Sequence, residues 1–439
     1  MALFSKHTTL LSYKSFPIIL ALLLSIACGE GAKKAESESM EANTTDIAEI
    51  KVPEGFGVTR VADSLGKPRH LAVTPSGGIY VKLRQPVNGN GILYLTDTDG
   101  DGVTDTKEGF GDYGGTGINL HGDYLYASSD ESIFRYALDS NGKVTNPNAP
   151  DTVVTGLVSG KTHATKSFAI DGQDNIYVNI GAYSNACQEE DRKLGSPAMK
   201  PCPILDSAGG IWQFRTDKLK QSYPEGERYA TGLRNVVGLD WNKEINKLYV
   251  TQHGRDMLHT LFPEMFTTEE SAELPAETLY MIEKGDDAGW PYIYYDQIQN
   301  KKILAPEYGG DGKKTGGEDA IDPVATFPGH LAPNALLFYT GNMFPEKYRN
   351  GAFIAFHGSW NRAPEEQEGF NVAFVPFENG KPSGEWEVFA DGFAGMETLM
   401  SPEEALHRPT GLAQGPDGSL YVSDDAGGTL FRIVYEKNE

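Results

Sequence analysis

The sequence predicts an all-β fold, namely a six-bladed β-propeller with long loop insertions. Two observations lead to this prediction. A unit made of a turn and a short apolar strand recurs six times along the chain. The composition, with 50 Gly, 21 Tyr and 20 Phe in 439 residues, favours short strands and tight turns over long helices. Because no Pro/Ser-rich linker interrupts the repeat, we expect one propeller domain over residues 51–439.

Each repeat places a turn containing Gly, Asp or Asn before a strand that usually includes Tyr. The repeats lie at residues 75–83, 121–128, 171–180, 242–251, 349–358 and 415–424. A single unit cannot bury both of its faces, whereas units arranged around an axis cover one another. The wide spacing between residues 251 and 349 predicts long insertions there. A two-sheet sandwich is the alternative arrangement.

The N-terminus is typical of an exported lipoprotein. In residues 1–28, two lysines precede an apolar run from Phe16 to Ala27 that is short for a membrane span. The run ends at Cys28 in a pattern that resembles a bacterial lipobox, although cleavage nearby with an incidental cysteine is the alternative. Residues 29–50 are acidic and polar and predict a disordered tether. We therefore expect an exported protein of the bacterial cell envelope, lipid-anchored in the periplasm or at the outer membrane.

Charge and cysteine content limit the possible partners. The net charge of -23 argues against nucleic acid and against any membrane contact beyond the lipid on Cys28. The remaining two cysteines, Cys187 and Cys202, form an even pair, which in an oxidising compartment predicts a disulfide. It would close a loop of ~15 residues and contribute about 3 kcal/mol in the chain-entropy model. The chain has no Cys-x-x-Cys spacing, so a zinc or thioredoxin-type site is not indicated.

The segment DTDGDGVTDTKE has the spacing of a calcium-binding loop. The predicted ligands are Asp97, Asp99, Asp101, the Val103 carbonyl, Asp105 and Glu108. Clustered carboxylates repel one another unless a cation neutralises them, and Gly102 stands where the loop needs a sharp turn. A solvated hairpin turn between two strands is the alternative. In either case we expect a structural site, distant from any chemistry.

Three polar residues stand at the same point of three different repeats. His163, Arg234 and Arg408 each lie a few residues ahead of the Tyr-containing strand. In a propeller, residues at the same position of their repeats, that is with equal phase, lie at the same height at the mouth of the channel. We therefore expect these side chains to converge. A histidine there can act as a general base, and Arg234 with Asn235 can donate several hydrogen bonds to quinone and carboxylate oxygens. Taken singly, a histidine at this position is more often a surface or capping residue.

Further candidates lie in loops. Gly254 follows a strand, and a glycine there lets its carbonyl approach a cation closely. Trp360 and Arg362 lie between two strands. Trp290 and Tyr292, in a long insertion, could stack on a flat cofactor or a sugar face, or could simply cover the core beneath a loop.

The motifs, in their order along the chain, resemble the glucose/sorbosone dehydrogenase family of soluble sugar dehydrogenases that depend on pyrroloquinoline quinone (PQQ), and in particular the L-sorbosone dehydrogenase-like branch. The resemblance covers roughly residues 51–436 and is carried by THATKSFAIDGQDNIYVNIG, YATGLRNVVGLDW, TQHGRDML, GWPY, FHGSWNR and HRPTGLAQGPDGSLYVSDDAGGTLFRI. It implies a six-bladed propeller that binds PQQ and Ca²⁺ at the channel mouth and oxidises an aldose or a related hydroxy-carbonyl sugar. No Gly-rich motif of the dinucleotide-binding type follows a strand, so a nicotinamide cofactor is not expected.

Matching positions in that family imply roles for single residues. His163 matches the catalytic base, which accepts the proton of the substrate hydroxyl while hydride passes to the quinone. Arg234 and Asn235 match contacts to the reactive carbonyls of the quinone. Gly254 and Arg255 match the two backbone carbonyls that hold the cofactor calcium. Calcium and Arg234 would stabilise the charge that grows on the quinone oxygens.

The sequence also departs from the glucose enzymes of that family. Arg408 matches an arginine that binds a cofactor carboxylate, but Thr410 stands where those enzymes have a second arginine. Their cofactor lysine falls in the stretch that contains Trp360 and Arg362, where Arg362 is the candidate substitute although its geometry differs from that of lysine. An electron acceptor such as a cytochrome or a quinone would complete the reaction. The alternatives are a calcium-dependent lactonase-type hydrolase, which needs acidic side chains around one metal, and a non-catalytic carbohydrate-binding propeller.

Overall fold

Six antiparallel sheets of at least four strands surround a central axis, so the predicted six-bladed β-propeller is confirmed. The computed structural model describes residues 50–160 and 162–436. Strand β1 (Phe56–Ala62) comes before the first blade in the chain. Five blades are then formed in chain order from their inner to their outer strand, and β1 completes the sixth. The predicted signal segment with Cys28, and the tether up to residue 49, lie outside the described residues.

The first three blades each contain four antiparallel strands that follow one another in chain order. Blade 1 contains β2 (Pro68–Val73), β3 (Ile79–Val87), β4 (Asn90–Thr96) and β5 (Thr106–Phe110). Blade 2 contains β6 (Ile118–His121), β7 (Tyr124–Ser128), β8 (Ser132–Ala137) and β9 (Asp151–Thr155). Blade 3 contains β10 (Phe168–Ile170), β11 (Asn175–Ile180), β12 (Gly210–Arg215) and β14 (Glu227–Thr231), while β13 (Gln221–Ser222) pairs in parallel with β9.

The insertions that the widest repeat spacing predicted lie in blade 4. Blade 4 contains β15 (Val236–Asn242), β16 (Lys247–Gln252), β17 (Glu277–Ile282) and β20 (Ala325–Phe327), and its connections hold helices α1 (Leu258–Leu261) and α2 (Thr268–Glu273) and the hairpin β18 (Ile293–Asp296) and β19 (Lys301–Leu304). Blade 5 contains β21 (Pro333–Phe338), β22 (Ala352–Phe356), β23 (Asn371–Val375) and β26 (Glu387–Ala390), with a small hairpin of β24 (Phe377–Glu378) and β25 (Lys381–Pro382). Blade 6 contains β27 (Pro409–Gln414), β28 (Leu420–Asp424) and β29 (Thr429–Tyr435).

The ring closes through the N-terminal strand. Strand β1 pairs antiparallel with β29 and becomes the outer strand of blade 6, with Phe56 opposite Tyr435. The ring of Phe56 then packs edge-on against Phe344 and Phe389, with centroids 4.9 and 5.1 Å away. Both ends of the propeller are therefore held by one sheet and one aromatic cluster, which leaves no open gap between the first and the last blade.

Glycines let the inner strands approach one another closely. A Cβ on Gly411 would lie 2.4 Å from the carbonyl oxygen of Arg69, and a Cβ on Gly238 would lie 2.9 Å from the backbone of Ala335. Each inner strand contacts the next around the whole ring. The channel is consequently narrow, and side chains at the start of the inner strands are brought near the axis.

The predicted disulfide is present. Cys187 and Cys202 are bonded, with Cα atoms 6.1 Å apart, and both side chains are buried in the hydrophobic core between blades 2 and 3. Among the described residues, no helix is long and apolar enough to cross a membrane.

Candidate active site

A cavity of about 120 Å³ lies where the inner strands of blades 3 to 5 begin. Four of the residues predicted from the sequence line it, namely His163, Arg234, Asn235 and Gly254. Residues without a predicted role also line it, including His253, Asp256, Glu277, His330, Ser359 and Asn361. The equal phase of His163 and Arg234 in the repeats therefore did predict that these two side chains meet.

The imidazole of His163 is fixed in one tautomer. Its Nδ1 lies 2.5 Å from the carbonyl oxygen of Ala182, and because a carbonyl can only accept, Nδ1 carries the proton and Nε2 keeps its lone pair. Burial, reinforced by the positive charge of Arg234, lowers the pKa of His163 to about 3. The residue also has a left-handed φ of 54°, a strained conformation that is common at functional sites. A Cβ on Gly181 would lie only 2.7 Å from the Cβ of His163, so glycine is required there.

Arg234 is buried and connects three groups of the site. Its Nη1 donates to the carbonyl of Gly254 at 2.7 Å, and its Nη2 donates to the carboxylate of Asp256 at 2.6 Å and to Oδ1 of Asn185 at 3.1 Å. One Nη1 hydrogen has no acceptor among the described residues. The guanidinium thus orients the carbonyl that was predicted to hold the cofactor calcium, and it retains one donor for a ligand.

Two amide oxygens in the cavity lack hydrogen-bond donors. The Oδ1 atoms of Asn235 and Asn361 are shielded from solvent and have no partner among the described residues. A buried oxygen without a partner costs about 1–3 kcal/mol, so such atoms point to a ligand that completes their bonding. Asn361 is oriented by its own amide nitrogen, which donates to Asp256 at 3.0 Å.

Two carboxyl groups in the cavity were missed by the sequence reasoning. Glu277 accepts hydrogen bonds from the backbone N–H groups of Gly254 at 3.0 Å and Ala332 at 3.3 Å, and burial raises its pKa to about 8. Burial alone would also raise the pKa of Asp256, but Arg234 and other positive neighbours hold it well below its usual range. Asp256 stands in the quoted motif TQHGRDML beside Gly254, which was an available signal. Glu277 offered none, because it follows the helical insertion of blade 4 and lies outside every sequence motif named above.

Arg408 lies in a neighbouring cluster and not in the cavity of His163. Its Nη2 donates to the carbonyl of Gly358 at 2.6 Å and lies 3.0 Å from Nδ1 of His357. Asp425 contacts Nε2 of His357 at 2.7 Å and Nη1 of Arg69 at 2.9 Å. The two clusters adjoin, because Gly358, which accepts from Arg408, is followed directly by Ser359, which lines the cavity.

The predicted convergence of three side chains is therefore correct for His163 and Arg234, whereas Arg408 extends the rim. Arg69 has the same phase as these residues, at the start of the inner strand of blade 1, and could have been found by that signal. Thr410, where the glucose enzymes have a second arginine, donates to the carbonyl of Pro68 at 3.1 Å and is buried.

The side chain of Arg255 is turned away from the cavity. It forms an ion pair with Glu307 at 2.5 Å, and the two side chains are 4% and 1% exposed. The arginine thus anchors the blade 4 insertion, while only its backbone is available for the predicted calcium contact.

The contacts of Arg362 argue against its predicted role as a substitute for the cofactor lysine. Its buried guanidinium donates to the carbonyls of Ala272 and Gly329 and to the carboxylate of Glu273 at 2.7 Å. Helix α2 supplies two of these partners, Ala272 and Glu273, so the side chain points into the insertion. Trp360 is 63% exposed and lies outside the residues that line the cavity.

The aromatic residues of the GWPY segment serve the core. Trp290 is 5% exposed and its Nε1 donates to the carbonyl of Asn185 at 2.9 Å. The hydroxyl of Tyr292 accepts from the backbone N–H of Cys202 at 2.9 Å. The stacking surface suggested for them is therefore wrong, and the alternative of cover beneath a loop is correct.

The acidic loop before strand β5 brings part of the predicted calcium ligands together. Oxygen atoms of Asp97, Asp99 and Asp105 lie within 4.8 Å of one another and are exposed. Glu108, the last of the predicted ligands, is not part of this group, because it lies within β5 and pairs with Lys143 at 2.7 Å. The side chain of Asp101 accepts from the N–H of Val103 at 2.8 Å. Calcium binding by this loop stays a prediction.

Comparisons with known proteins agree over the whole propeller. A curated relative, the pyrroloquinoline quinone-dependent pyranose dehydrogenase of Coprinopsis cinerea, is 27% identical over 427 residues, covering 88% of this chain and 54% of that protein. The chain thus spans about half the length of this relative. The pyrroloquinoline quinone-dependent sugar dehydrogenase of Hypocrea jecorina is 22% identical over 423 residues, covering 88% of this chain and 91% of that protein. An uncharacterized protein of Borreliella burgdorferi is 25% identical, with coverage of 88% and 91%.

Solved structures show the same fold. The calcium structure of the family AA12 enzyme of Trichoderma reesei superposes with a TM-score of 0.69 at 18% identity, covering 88% of this chain and 97% of that one. The holo form of the PQQ domain of Coprinopsis cinerea pyranose dehydrogenase gives a TM-score of 0.67 at 22% identity, with the same coverage. The resemblance to PQQ-dependent sugar dehydrogenases is confirmed, while the sorbosone-like branch stays a prediction. The TrAA12-like family matches residues 50–436, and the chain belongs to that family.

Proposed function

We propose that this protein is a PQQ-dependent oxidoreductase that oxidises a sugar, specifically an aldose or a related hydroxy-carbonyl sugar. The observation that carries the proposal is one cavity lined by His163, Arg234 and Asn235, in which Nε2 of His163 and Oδ1 of Asn235 have no hydrogen-bond partner among the described residues. The names of the relatives from Coprinopsis cinerea and Hypocrea jecorina, which are PQQ-dependent sugar dehydrogenases, support the same conclusion.

The residues of the site fit both PQQ and a calcium ion. Hard cations prefer oxygen ligands, and the cavity offers the carbonyl of Gly254, the unpartnered Oδ1 of Asn235 and the carboxyl group of Glu277. An anionic quinone with carboxylates prefers guanidinium groups, which Arg234 and Arg408 supply on adjoining parts of the rim. When bound, PQQ supplies a quinone that accepts two electrons from the substrate.

In the proposed reaction His163 accepts the proton of a sugar hydroxyl through Nε2. The carbonyl of Ala182 holds Nδ1–H, so it fixes the orientation of the ring and stabilises the imidazolium that forms. A pKa of about 3 keeps the imidazole unprotonated at neutral pH, and an anionic ligand beside it raises that pKa because negative charge favours the protonated form. Arg234 provides the positive charge opposite the developing negative charge.

Reconstitution tests the proposal. The apo-protein is mixed with PQQ and Ca²⁺, and reduction of an artificial dye is followed with a panel of aldoses. We expect turnover with at least one sugar and a loss of at least ~10²-fold for His163→Ala. His121→Ala is the matched control, because His121 pairs with Asp174 at the end of inner strand β6, away from the cavity. Dye reduction that is equal in the His163 variant and the control would refute the assigned base.

A calcium-dependent lactonase-type hydrolase is the second candidate, and a specific observation favours it. The acidic side chains that it requires, Asp256 and Glu277, do line the cavity. However, Asp256 is already paired with Arg234 at 2.6 Å, which removes it as a free metal ligand. Hydrolysis of a sugar lactone by apo-protein with Ca²⁺ and without any quinone would support this candidate, and sugar binding without turnover would support a carbohydrate-binding propeller.

We also propose that the protein is exported and lipid-anchored through Cys28 in the bacterial cell envelope, facing the periplasm or at the outer membrane, where a cytochrome or a quinone accepts the electrons. The apolar run before Cys28 supports this proposal. Metabolic labelling with a radioactive fatty acid tests it. We expect label in the wild-type chain and none in Cys28→Ser.

A further inference from the structure

The loop closed by the disulfide reaches the edge of the candidate active site. Arg192 lies in this loop, residues 187–202, and its Nη2 donates to Oδ2 of Asp256 at 2.8 Å. The same oxygen accepts from Nη2 of Arg234 at 2.6 Å. One carboxylate therefore joins an arginine of the cavity to an arginine of the disulfide loop.

Asn185 connects the start of this loop to the same two residues. Its side chain is fully buried and pairs with the backbone of Asp256, accepting from the N–H at 2.8 Å and donating to the carbonyl at 3.0 Å. Its Oδ1 also accepts from Arg234 at 3.1 Å. Asp191 in turn accepts from the N–H of Asn185 at 2.7 Å and pairs with Arg192 at 2.6 Å. The network thus links both terminal nitrogens of Arg192 to the site, Nη1 through Asp191 and Nη2 through Asp256.

The disulfide determines where this loop begins and ends. The N–H of Cys187 donates to the hydroxyl of Ser184 at 3.0 Å, and Cys202 is held by Tyr292. In contrast, the outer part of the loop has little cover, since Leu194 is 63% exposed. The covalent bond restricts the conformations that the loop can adopt in the unfolded chain, and it fixes the two points from which Arg192 reaches inward.

We propose that Arg192 is a positioning residue that acts through Asp256 on Arg234, and that the Cys187–Cys202 bond holds it in place. Asp256 carries one negative charge and is shared by two guanidinium groups. Because Arg192 donates to the same oxygen, Asp256 orients Arg234 without being available to it alone, and Arg234 keeps part of its positive charge for an anionic ligand. The effect on PQQ rests on the proposed function, whereas the effect on Arg234 does not.

Equilibrium binding of PQQ to the apo-protein, followed by quenching of tryptophan fluorescence, tests the proposal. We expect Arg192→Ala to weaken binding about tenfold, in line with the loss of one charge-assisted hydrogen bond. The Arg192 side chain is 26% exposed, so millimolar guanidinium chloride should restore affinity in Arg192→Ala. Lys193→Ala is the matched control, because Lys193 is 58% exposed and pairs only with Glu190 among the described residues.

A second measurement separates this proposal from the proposed function. In apo-protein labelled with ¹⁵N-arginine, we expect slow hydrogen exchange of the Arg234 Nε–H, and faster exchange in Arg192→Ala. The double variant Cys187→Ser/Cys202→Ser should weaken PQQ binding in the same direction, and adding Arg192→Ala should cause little further loss. If wild-type protein binds no PQQ, the proposed function fails while the exchange experiment still decides the role of Arg192. Unchanged exchange and unchanged affinity in Arg192→Ala would overturn the proposal.

Discussion

The buried pair of Arg255 and Glu307 gives the sharpest test of the energetics beside the site. The two side chains are 4% and 1% exposed, and their closest atoms lie 2.5 Å apart. Oε2 of Glu307 accepts from Arg255, and Oε1 has no partner among the described residues. The other donors of Arg255 reach only the carbonyl of Asp256, at 3.4 Å. In Glu307→Gln the guanidinium would stay buried without a compensating charge.

We expect Glu307→Gln to lower the free energy of unfolding by about 3–5 kcal/mol, the usual cost of removing one partner of a buried ion pair. Urea denaturation at pH 7, followed by tryptophan fluorescence, measures this change. The matched control is Glu227→Gln, which removes the pair with Lys284, where both side chains are 57% exposed. That control should cost less than about 1 kcal/mol.

A double variant distinguishes a missing charge partner from lost packing. Arg255→Met combined with Glu307→Leu removes both charges and keeps apolar volume, so we expect it to recover most of the stability lost in Glu307→Gln. The reasoning is refuted if Glu307→Gln unfolds at the same urea concentration as Glu227→Gln. It is also refuted if the double variant is less stable than the single one.

Three further predictions concern His70 in the channel, calcium binding by the acidic loop, and Gly181 beside His163. Burial lowers the pKa of His70 from 6.5 to about 4 in the folded protein. As the pH drops, His70 therefore takes up its proton in the unfolded chain before it does so in the folded one. The free energy of unfolding consequently falls between about pH 6.5 and about pH 4. In His70→Gln the free energy of unfolding should fall less steeply with pH, and the two slopes should differ by up to about 1.4 kcal/mol per pH unit. Urea titration at several pH values measures both slopes. Saturating Ca²⁺ should raise the melting temperature of wild-type protein, with the acidic loop contributing an amount equivalent to about 2.7 kcal/mol at 100-fold excess over its Kd. Asp97→Asn/Asp99→Asn should reduce the shift by that contribution, and an equal shift in both proteins would contradict calcium binding by the loop. Gly181→Ala should reduce turnover on the order of 10²-fold, because the new Cβ would lie 2.7 Å from His163, whereas Gly172→Ala, where a Cβ would meet nothing within 4 Å, should be neutral.

Several features followed from the sequence because they depend on local patterns. Turn-and-strand repeats predicted the blades, since alternation along a strand and glycine in a turn act within about ten residues. The phase of the repeat predicted that His163 and Arg234 reach the same height. The disulfide between Cys187 and Cys202 followed from counting cysteines.

The tertiary structure alone decided which groups face the cavity and which are paired elsewhere. The position of a residue within its repeat gives the height of the side chain along the axis but not its direction or its partners. The sequence therefore could not show that Arg408 lies in the neighbouring cluster. Arg362 is neutralised by the insertion that contains helix α2, whose position no local pattern specifies. Glu277 and Arg192 reach Gly254 and Asp256 only because distant segments fold against one another. Burial and ion pairing depend on contacts between segments far apart in the chain, and these contacts set the charge of the site.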